Sequence, residues 1–378
     1  MTALPKFVAL YAAMYAAYGV ASPFLPAFVA ERGLSPEELG LALAAGTAIR
    51  LVSAPLAGRI ADLLQGLRVM LVVCIAAAAL VTLGYLSARG FWLLLAVMLL
   101  HAWALAPMTV LADALALGAA ARPGGFEYGR VRGTGSAAFI LGTLVSGQAI
   151  GAFGLEVIVA LQALALCAAV LAATQVPEIE HHPRPKSDTA SGIGVLLRIA
   201  RYRNLVLVAA LVLGSHAMHD AFAVIRWRAA DISAEVASLL WSEAVGAEVL
   251  VFWLIGPALV TRLTPAGAMA LAAAAGVLRW SVMAQSTDVL ALALVQPLHG
   301  LTFALLHLAC MRVLMRTVPQ GSEGLAQALY ASVGVGAATA LLTLASGALY
   351  GRLGPQAFWF MACLCAAALA LTLKLRGA

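Results

Sequence analysis

His216, His219 and Asp220 stand at i, i+3 and i+4 inside a long apolar stretch, a spacing that puts all three on one arc of an α-helix. Two imidazoles beside a carboxylate support either relay of a proton or ligation of a metal ion, and a metal would need further donors from elsewhere. A second stripe follows helical spacing as well: His299, Phe303 and His307. Arg50 and Glu248 also lie deep within apolar runs. A charge at mid-bilayer costs about 2.5 to 3.5 kcal/mol on insertion scales, so each must face a partner, a cavity or a function. Arg50 offers the planar fork that grips a carboxylate, and Glu248 is a group that can take or give a proton. The alternative for this pair is a buried ion pair that only locks the fold. Tyr11, Tyr15 and Tyr18 fall at i, i+4 and i+7 and share a helical face. His101 has Trp103 close by in sequence, and such rings suit a flat, partly apolar ligand.

The elements that position these groups follow from composition. The 378 residues are 63% hydrophobic and only 11% charged, where soluble domains carry about 25% charge. Apolar stretches suffice for twelve membrane-crossing helices of ~20 residues each and leave no room for a soluble catalytic domain. The first is read as one span over residues 5–30. The net charge of +6 does not point to nucleic acid, because Lys and Arg are scattered and form no basic face. The charge concerns topology instead. With an even number of spans and an inner N-terminus, sixteen basic residues fall in inner connections and tails. Five fall outside: Arg32, Arg89, Arg226, Arg228 and Arg352. That bias puts both termini in the cytoplasm, as expected of a multi-pass protein of a bacterial inner membrane. Cys74, Cys167, Cys310, Cys363 and Cys365 are odd in number, lack metal or disulfide spacing, and read as packing residues.

The one long polar stretch, 175–203, contains His181 and His182 and reads as a cytoplasmic linker between an N-terminal half, 1–174, and a C-terminal half, 204–378. The halves look like a repeat. An offset of 198 residues pairs Phe24 with Phe222, Ser35 with Ser233, Arg50 with Glu248, Gly58 with Gly256 and His101 with His299. An offset of 200 pairs Ser146-Gly147 with Ser346-Gly347 and Gly154 with Gly354. The expected fold is therefore an all-α integral membrane protein with twelve transmembrane helices in two pseudo-symmetric six-helix bundles. That is the layout of a major facilitator carrier, whose substrate sits near the midplane between rocking halves. In such a bundle spans 1, 4, 7 and 10 contribute most to the cavity. Five of the seven histidines, His101, His216, His219, His299 and His307, fall on spans 4, 7 and 10.

Short pieces of sequence narrow the comparison. Leu111-Ala112-Asp113-Ala114-Leu115-Ala116, then Tyr128-Gly129-Arg130-Val131-Arg132, then Gly135-Ser136 and Phe139, resemble the phenylpropionate permease branch of the major facilitator superfamily. So do Ala48-Ile49-Arg50, Leu240-Trp241-Ser242, Ala247-Glu248-Val249, Arg279-Trp280, Leu298-His299 and His307-Leu308-Ala309, in that order on matching spans. The resemblance implies proton-coupled uptake of small organic acids, with distant relatives among sugar and nucleoside proton symporters. The loop from Gly58 through Asp62 to Arg68 keeps the Gly and Asp of the superfamily's gating signature, with its second Gly displaced by one and its basic run thinned.

The expected roles are as follows. Arg50 holds the anion, and Tyr11, Tyr15, Tyr18, His101, Trp103 and Phe303 contact the body of the ligand. Glu248 carries the proton, helped by His299 or His307, with His216 and Asp220 as further relay groups. Asp113 faces Arg130 and Arg132 across a short loop and forms with them either a gate, together with Asp62, or a plain ion network. Glu243 is expected to pair with Arg279 on the neighbouring span. No cofactor or resident metal is expected. The partners are a small-molecule substrate, a proton and the bilayer, and the chain is expected to act as a monomer. Rival readings are an exporter exchanging amphipathic compounds against protons, a sugar or nucleoside proton symporter, a metal-dependent intramembrane enzyme built on His216, His219 and Asp220, and a membrane sensor. Nucleotide-driven pumping has no support, because no Walker-type glycine loop is present.

Overall fold

The computed structural model describes residues 3–178 and 192–375. The described residues form two compact units, one of residues 3–178 with 233–239, the other of 192–232 with 240–375. Each is a bundle of helices long and apolar enough to cross a membrane.

In the N-terminal half these helices are α1 (Leu4–Ala21), α2 (Pro36–Leu63), α3 (Leu67–Ser87), α4 (Phe91–Ala120), α5 (Tyr128–Phe153) and α6 (Val157–Gln175). The single first span expected over 5–30 is broken into α1 and a short helix, Leu25–Glu31. Pro23 and Pro26 explain the break, since neither has an amide hydrogen to continue the helical ladder. Ser35 starts α2 with a capping box, its hydroxyl taking the Glu38 amide while the Glu38 carboxylate takes the Ser35 amide. Arg32 ties one end of this bundle together: it reaches Glu156 at 2.7 Å and donates to the backbone carbonyls of Tyr85 and Ala88.

The C-terminal half contains α7 (Ala200–Ala229), α8 (Ala234–Arg262), α9 (Thr264–Gln285) and α10 (Val289–Thr317). The last apolar stretch, Glu323–Leu375, is two spans. The first of these, α11, runs through Glu323–Leu329, Tyr330–Ala337 and Ala338–Leu353, and α12 is Phe358–Thr372. Gly354 separates them at φ +54°, a backbone region that disfavours a side chain. Its repeat partner Gly154 ends α5 at φ +80°. The packing pattern repeats too. In the first half α1 packs on α5 and α6, α4 on α2 and α3, and α3 on α6; in the second α7 packs on α11 and α12, α10 on α8 and α9, and α9 on α12.

The halves differ in backbone. In the first, α2 and α4 carry Pro55 and Pro107 within continuous α-helix. In the second, α8, α10 and α11 each contain a π-helical stretch, at Val251–Ile255, Leu301–Leu305 and Tyr330–Ala337. The stretch 175–203, expected as linker, includes a helix at Ile193–Arg198 whose end carbonyls accept from Arg203. His181 and His182 lie outside the described residues.

Candidate functional site

In the N-terminal half the tyrosine face of α1 forms a ladder of rings. Tyr11 and Tyr15 stack with centroids 5.8 Å apart, and Tyr15 meets Tyr18 edge-on at 5.6 Å. Gly135 on α5 makes room for it, because a Cβ there would come within 2.9 Å of the Tyr15 ring. Tyr18 directs its hydroxyl to the Leu105 carbonyl and Thr109 of α4.

Asp113 accepts hydrogen bonds from the hydroxyls of Tyr11 and of Tyr128, the latter at 2.8 Å. This corrects the expected cluster of Asp113 with Arg130 and Arg132. Two phenol donors on neighbouring helices reach the carboxylate, while Arg132 lies over the Tyr15 ring at 5.0 Å. Its Nη1 is buried and has no hydrogen-bond partner among the described residues. Arg130 is exposed near the start of α5, and Asp62 is exposed near the end of α2.

Arg50 is exposed midway along α2 and makes no ion pair within its own half among the described residues. It lies within electrostatic range of Tyr18, Tyr85 and His101. His101 is buried on α4 between two α3 residues, Thr82 at 3.2 Å from Nε2 and Tyr85 at 3.3 Å from Nδ1. Trp103 does not join it. Two residues on, it is ~200° around the helix and exposed, so the expected His101–Trp103 pairing of rings is not formed.

The C-terminal half holds a denser constellation centred on Arg279, which is fully buried on α9. Its guanidinium donates to Gln296 Oε1 at 2.7 Å, to His299 Nδ1 at 3.2 Å and to His219 Nε2 at 3.4 Å, and stacks on Trp280 at 4.5 Å. The expected Glu243–Arg279 pair is replaced by these contacts, because α10 and α7 deliver acceptors directly onto the guanidinium.

Hydrogen-bond inventory then assigns the imidazole tautomers. Arginine can only donate, so the facing nitrogen of each histidine must accept, and the other nitrogen carries the hydrogen. For His299 that hydrogen points to Glu248 Oε2 at 3.2 Å. For His219 it points to Asp220 Oδ1 at 3.3 Å. The result is a line of groups reading carboxylate, imidazole, guanidinium, imidazole, carboxylate. The Asp220 side chain is 59% exposed and that of Glu248 25%, so each end opens out of the packing while the centre is sealed.

His216 takes no part in that line. It donates to the Leu213 carbonyl at 3.1 Å and accepts from Thr302 at 2.9 Å, with its ring against Trp280 and His299. The three α7 residues expected on one face are therefore split between two environments. Among the described residues no three His, Cys, Asp or Glu side chains converge on a metal-sized site.

The stripe on α10 is held together by its π turn. At 100° per residue His307 would lie about 80° from His299, but a wide turn absorbs one residue and brings it back to within about 20°. Phe303 stacks on His299 at 5.5 Å, Phe252 of α8 bridges Phe303 and His307 at 6.5 and 6.1 Å, and His307 meets the Tyr330 hydroxyl at 3.4 Å.

A profile of the MFS_1-like family matches residues 5–361. The chain belongs to that family of the major facilitator superfamily. Among curated proteins it is 34% identical over 359 residues to the probable 3-phenylpropionic acid transporter of Escherichia coli (strain K12), covering 93% of this chain and 92% of that one. Among solved structures it is similar to the nucleoside transporter NupG, at TM-score 0.84 and 16% identity with all of both chains covered. It also matches a bacterial homologue of the human lysosomal transporter Spinster at TM-score 0.70 and 15% identity, over 98% of this chain and 96% of that one. Family membership and the Escherichia coli relative together make this chain a multi-pass membrane transporter and not an enzyme.

Several residues of the constellation escape a reading that weighs only charged groups and histidines. Gln296, Thr302 and Thr82 are neutral polar residues fully buried inside apolar spans, and that burial was the available signal. Trp241, 4.7 Å from His219, gives no periodic signal of its own.

Proposed function

We propose that this transporter is a secondary-active symporter that takes up a small aromatic carboxylate with a proton by alternating access. Its place would be the bacterial cytoplasmic membrane, with both termini inside. The observation that carries the reading is the segregation of charge. One half presents an arginine inside a span, exposed and without a carboxylate of its own, beside a ladder of tyrosine rings. The other half presents two carboxylates, each tied through an imidazole to a buried guanidinium. A lone guanidinium among aromatic rings suits an anion with a flat apolar body. The Escherichia coli relative is a probable 3-phenylpropionic acid transporter, and 3-phenylpropionic acid has that chemistry.

In this mechanism Arg50 holds the carboxylate, and Tyr15 and Tyr18 contact the ring, with Arg132 beside them. The proton resides on Glu248. Its neighbour His299 has no free position for a second proton while Arg279 donates to Nδ1, so the imidazole positions the carboxylate and does not carry the charge. Protonating Glu248 removes its attraction for the His299 N–H, which links the proton to the packing of α8 on α10.

The test is uptake of labelled 3-phenylpropionate by vesicles carrying the purified protein, with an imposed inward proton gradient. Accumulation that collapses with the gradient is expected. Accumulation on an outward gradient would assign an exporter. A thermal-shift screen of carboxylates, sugars and nucleosides in parallel separates substrate class from coupling.

A further inference from the structure

At the end of the C-terminal bundle that the charge bias assigns to the cytoplasm, α8 and α10 part to leave a groove of about 540 Å³. Its walls are Pro257 of α8 with Leu308, Met311 and Met315 of α10, and Arg312 and Arg316 stand on the same wall. The two arginines are one helical turn apart and therefore share a face. Among the described residues Arg312 reaches only the Thr261 hydroxyl, at 3.5 Å. Among the described residues neither guanidinium has a carboxylate partner. From Leu308 to Arg316 the groove runs about 12 Å along α10 at ~1.5 Å per residue. One turn before Pro257 on α8, Trp253 and Leu254 are 59% and 69% exposed, so apolar surface continues along the helix toward the bilayer centre.

The chemistry of this track is one-sided. It offers two positive forks at headgroup depth and flexible aliphatic and thioether walls below them. The groove between Pro257 and Met315 itself holds no amide and no aromatic ring, the one ring of the track being Trp253 above it, on the side toward the bilayer centre. That combination fits a phosphate on a hydrocarbon chain.

We propose that the α8–α10 groove is a binding site for an anionic glycerophospholipid of the cytoplasmic leaflet, its phosphate on Arg312 and Arg316 and one acyl chain along Leu308, Met311 and Met315. Because this face belongs to the helix carrying Glu248 and the helix carrying His299, a lipid seated there braces the same pair of helices that holds the carboxylate.

The experiment reconstitutes the full-length protein into vesicles of phosphatidylcholine with or without phosphatidylglycerol, re-extracts it, and counts retained lipid by native mass spectrometry alongside the thermal midpoint. Wild type is expected to retain phosphatidylglycerol over phosphatidylcholine by about fivefold and to gain thermal stability from it. Arg312→Gln combined with Arg316→Gln should bring that ratio to about one. Leu308→Trp, which fills the groove but keeps both charges, should do the same, and it decides the question if the double variant fails to fold. Arg262→Gln removes an exposed charge at the end of α8 and should change nothing. Undiminished retention in the double variant or in Leu308→Trp overturns the proposal. So does an equal loss in Arg262→Gln, which would mean unspecific attraction to a basic rim. Displacement of phosphatidylglycerol by 3-phenylpropionate would assign the groove to a carboxylate solute instead.

Discussion

His101 and His299 occupy the same place in the two halves and live in different chemistry. His101 sits between a threonine and a tyrosine, its hydrogen bonds neutral and closed. His299 sits between a buried arginine and a glutamate. Their charged counterparts diverge as well, since the place of Arg50 in the first half is taken by Glu248 in the second. The backbone devices are kept: Ser146 and Ser346 both turn their hydroxyls back onto their own helix, and Gly154 and Gly354 both end their helices at positive φ. The difference teaches that duplication fixes where helices start, cross and stop, because these depend on small residues and backbone angles. It leaves the side chains at each place free to specialise. Once a guanidinium such as Arg279 is buried, its five N–H groups require acceptors, and this brings His219, Gln296 and His299 into one network.

Among substitutions in the two halves, the largest effect is expected at Arg50. Arg50→Ala should abolish uptake of 3-phenylpropionate at normal protein levels, since losing a paired guanidinium costs about 3 kcal/mol, roughly a hundredfold in affinity. Uptake with unchanged affinity would remove Arg50 from anion recognition. Glu248→Gln should abolish accumulation driven by a proton gradient while sparing exchange of labelled for unlabelled substrate. Loss of both activities alike would place Glu248 in substrate binding and erase the division of labour.

Arg279→Gln is expected to lower stability by about 2 to 4 kcal/mol, read as a fall in thermal midpoint, because three buried acceptors lose their donor together. A midpoint within a degree of wild type would show that the network does not hold the bundle. The smallest effect belongs to His101→Leu, for which about 1 kcal/mol of stability and less than threefold in transport are expected. A loss of proton coupling there would make the two histidines equivalent after all.

Much of the fold was legible before any coordinates. Apolar stretches of the right length marked the membrane helices, and a near-constant offset between Gly154 and Gly354 or His101 and His299 marked the repeat. The break in the first span was also written in Pro23 and Pro26, though hydropathy averages over it. Less of the site was legible. Helical spacing put His216, His219 and Asp220 together, yet His216 turns to Thr302 and His219 to Arg279, because each ring has two nitrogens and neighbouring helices choose which partners reach them. Proximity in sequence points Asp113 toward Arg130 and Arg132, whereas tyrosines from two other helices hold it.

What the sequence determined by itself was the inventory: which residues lipid would reject, and on which spans they fall. Lipid imposes that selection residue by residue, through transfer cost, so it can be read one span at a time. Which rejected groups satisfy one another is decided only in the tertiary structure. A hydrogen bond depends on ångström distances between helices far apart in the chain, and on details such as the π turn of α10, which re-phases half a helix without leaving a periodic signature.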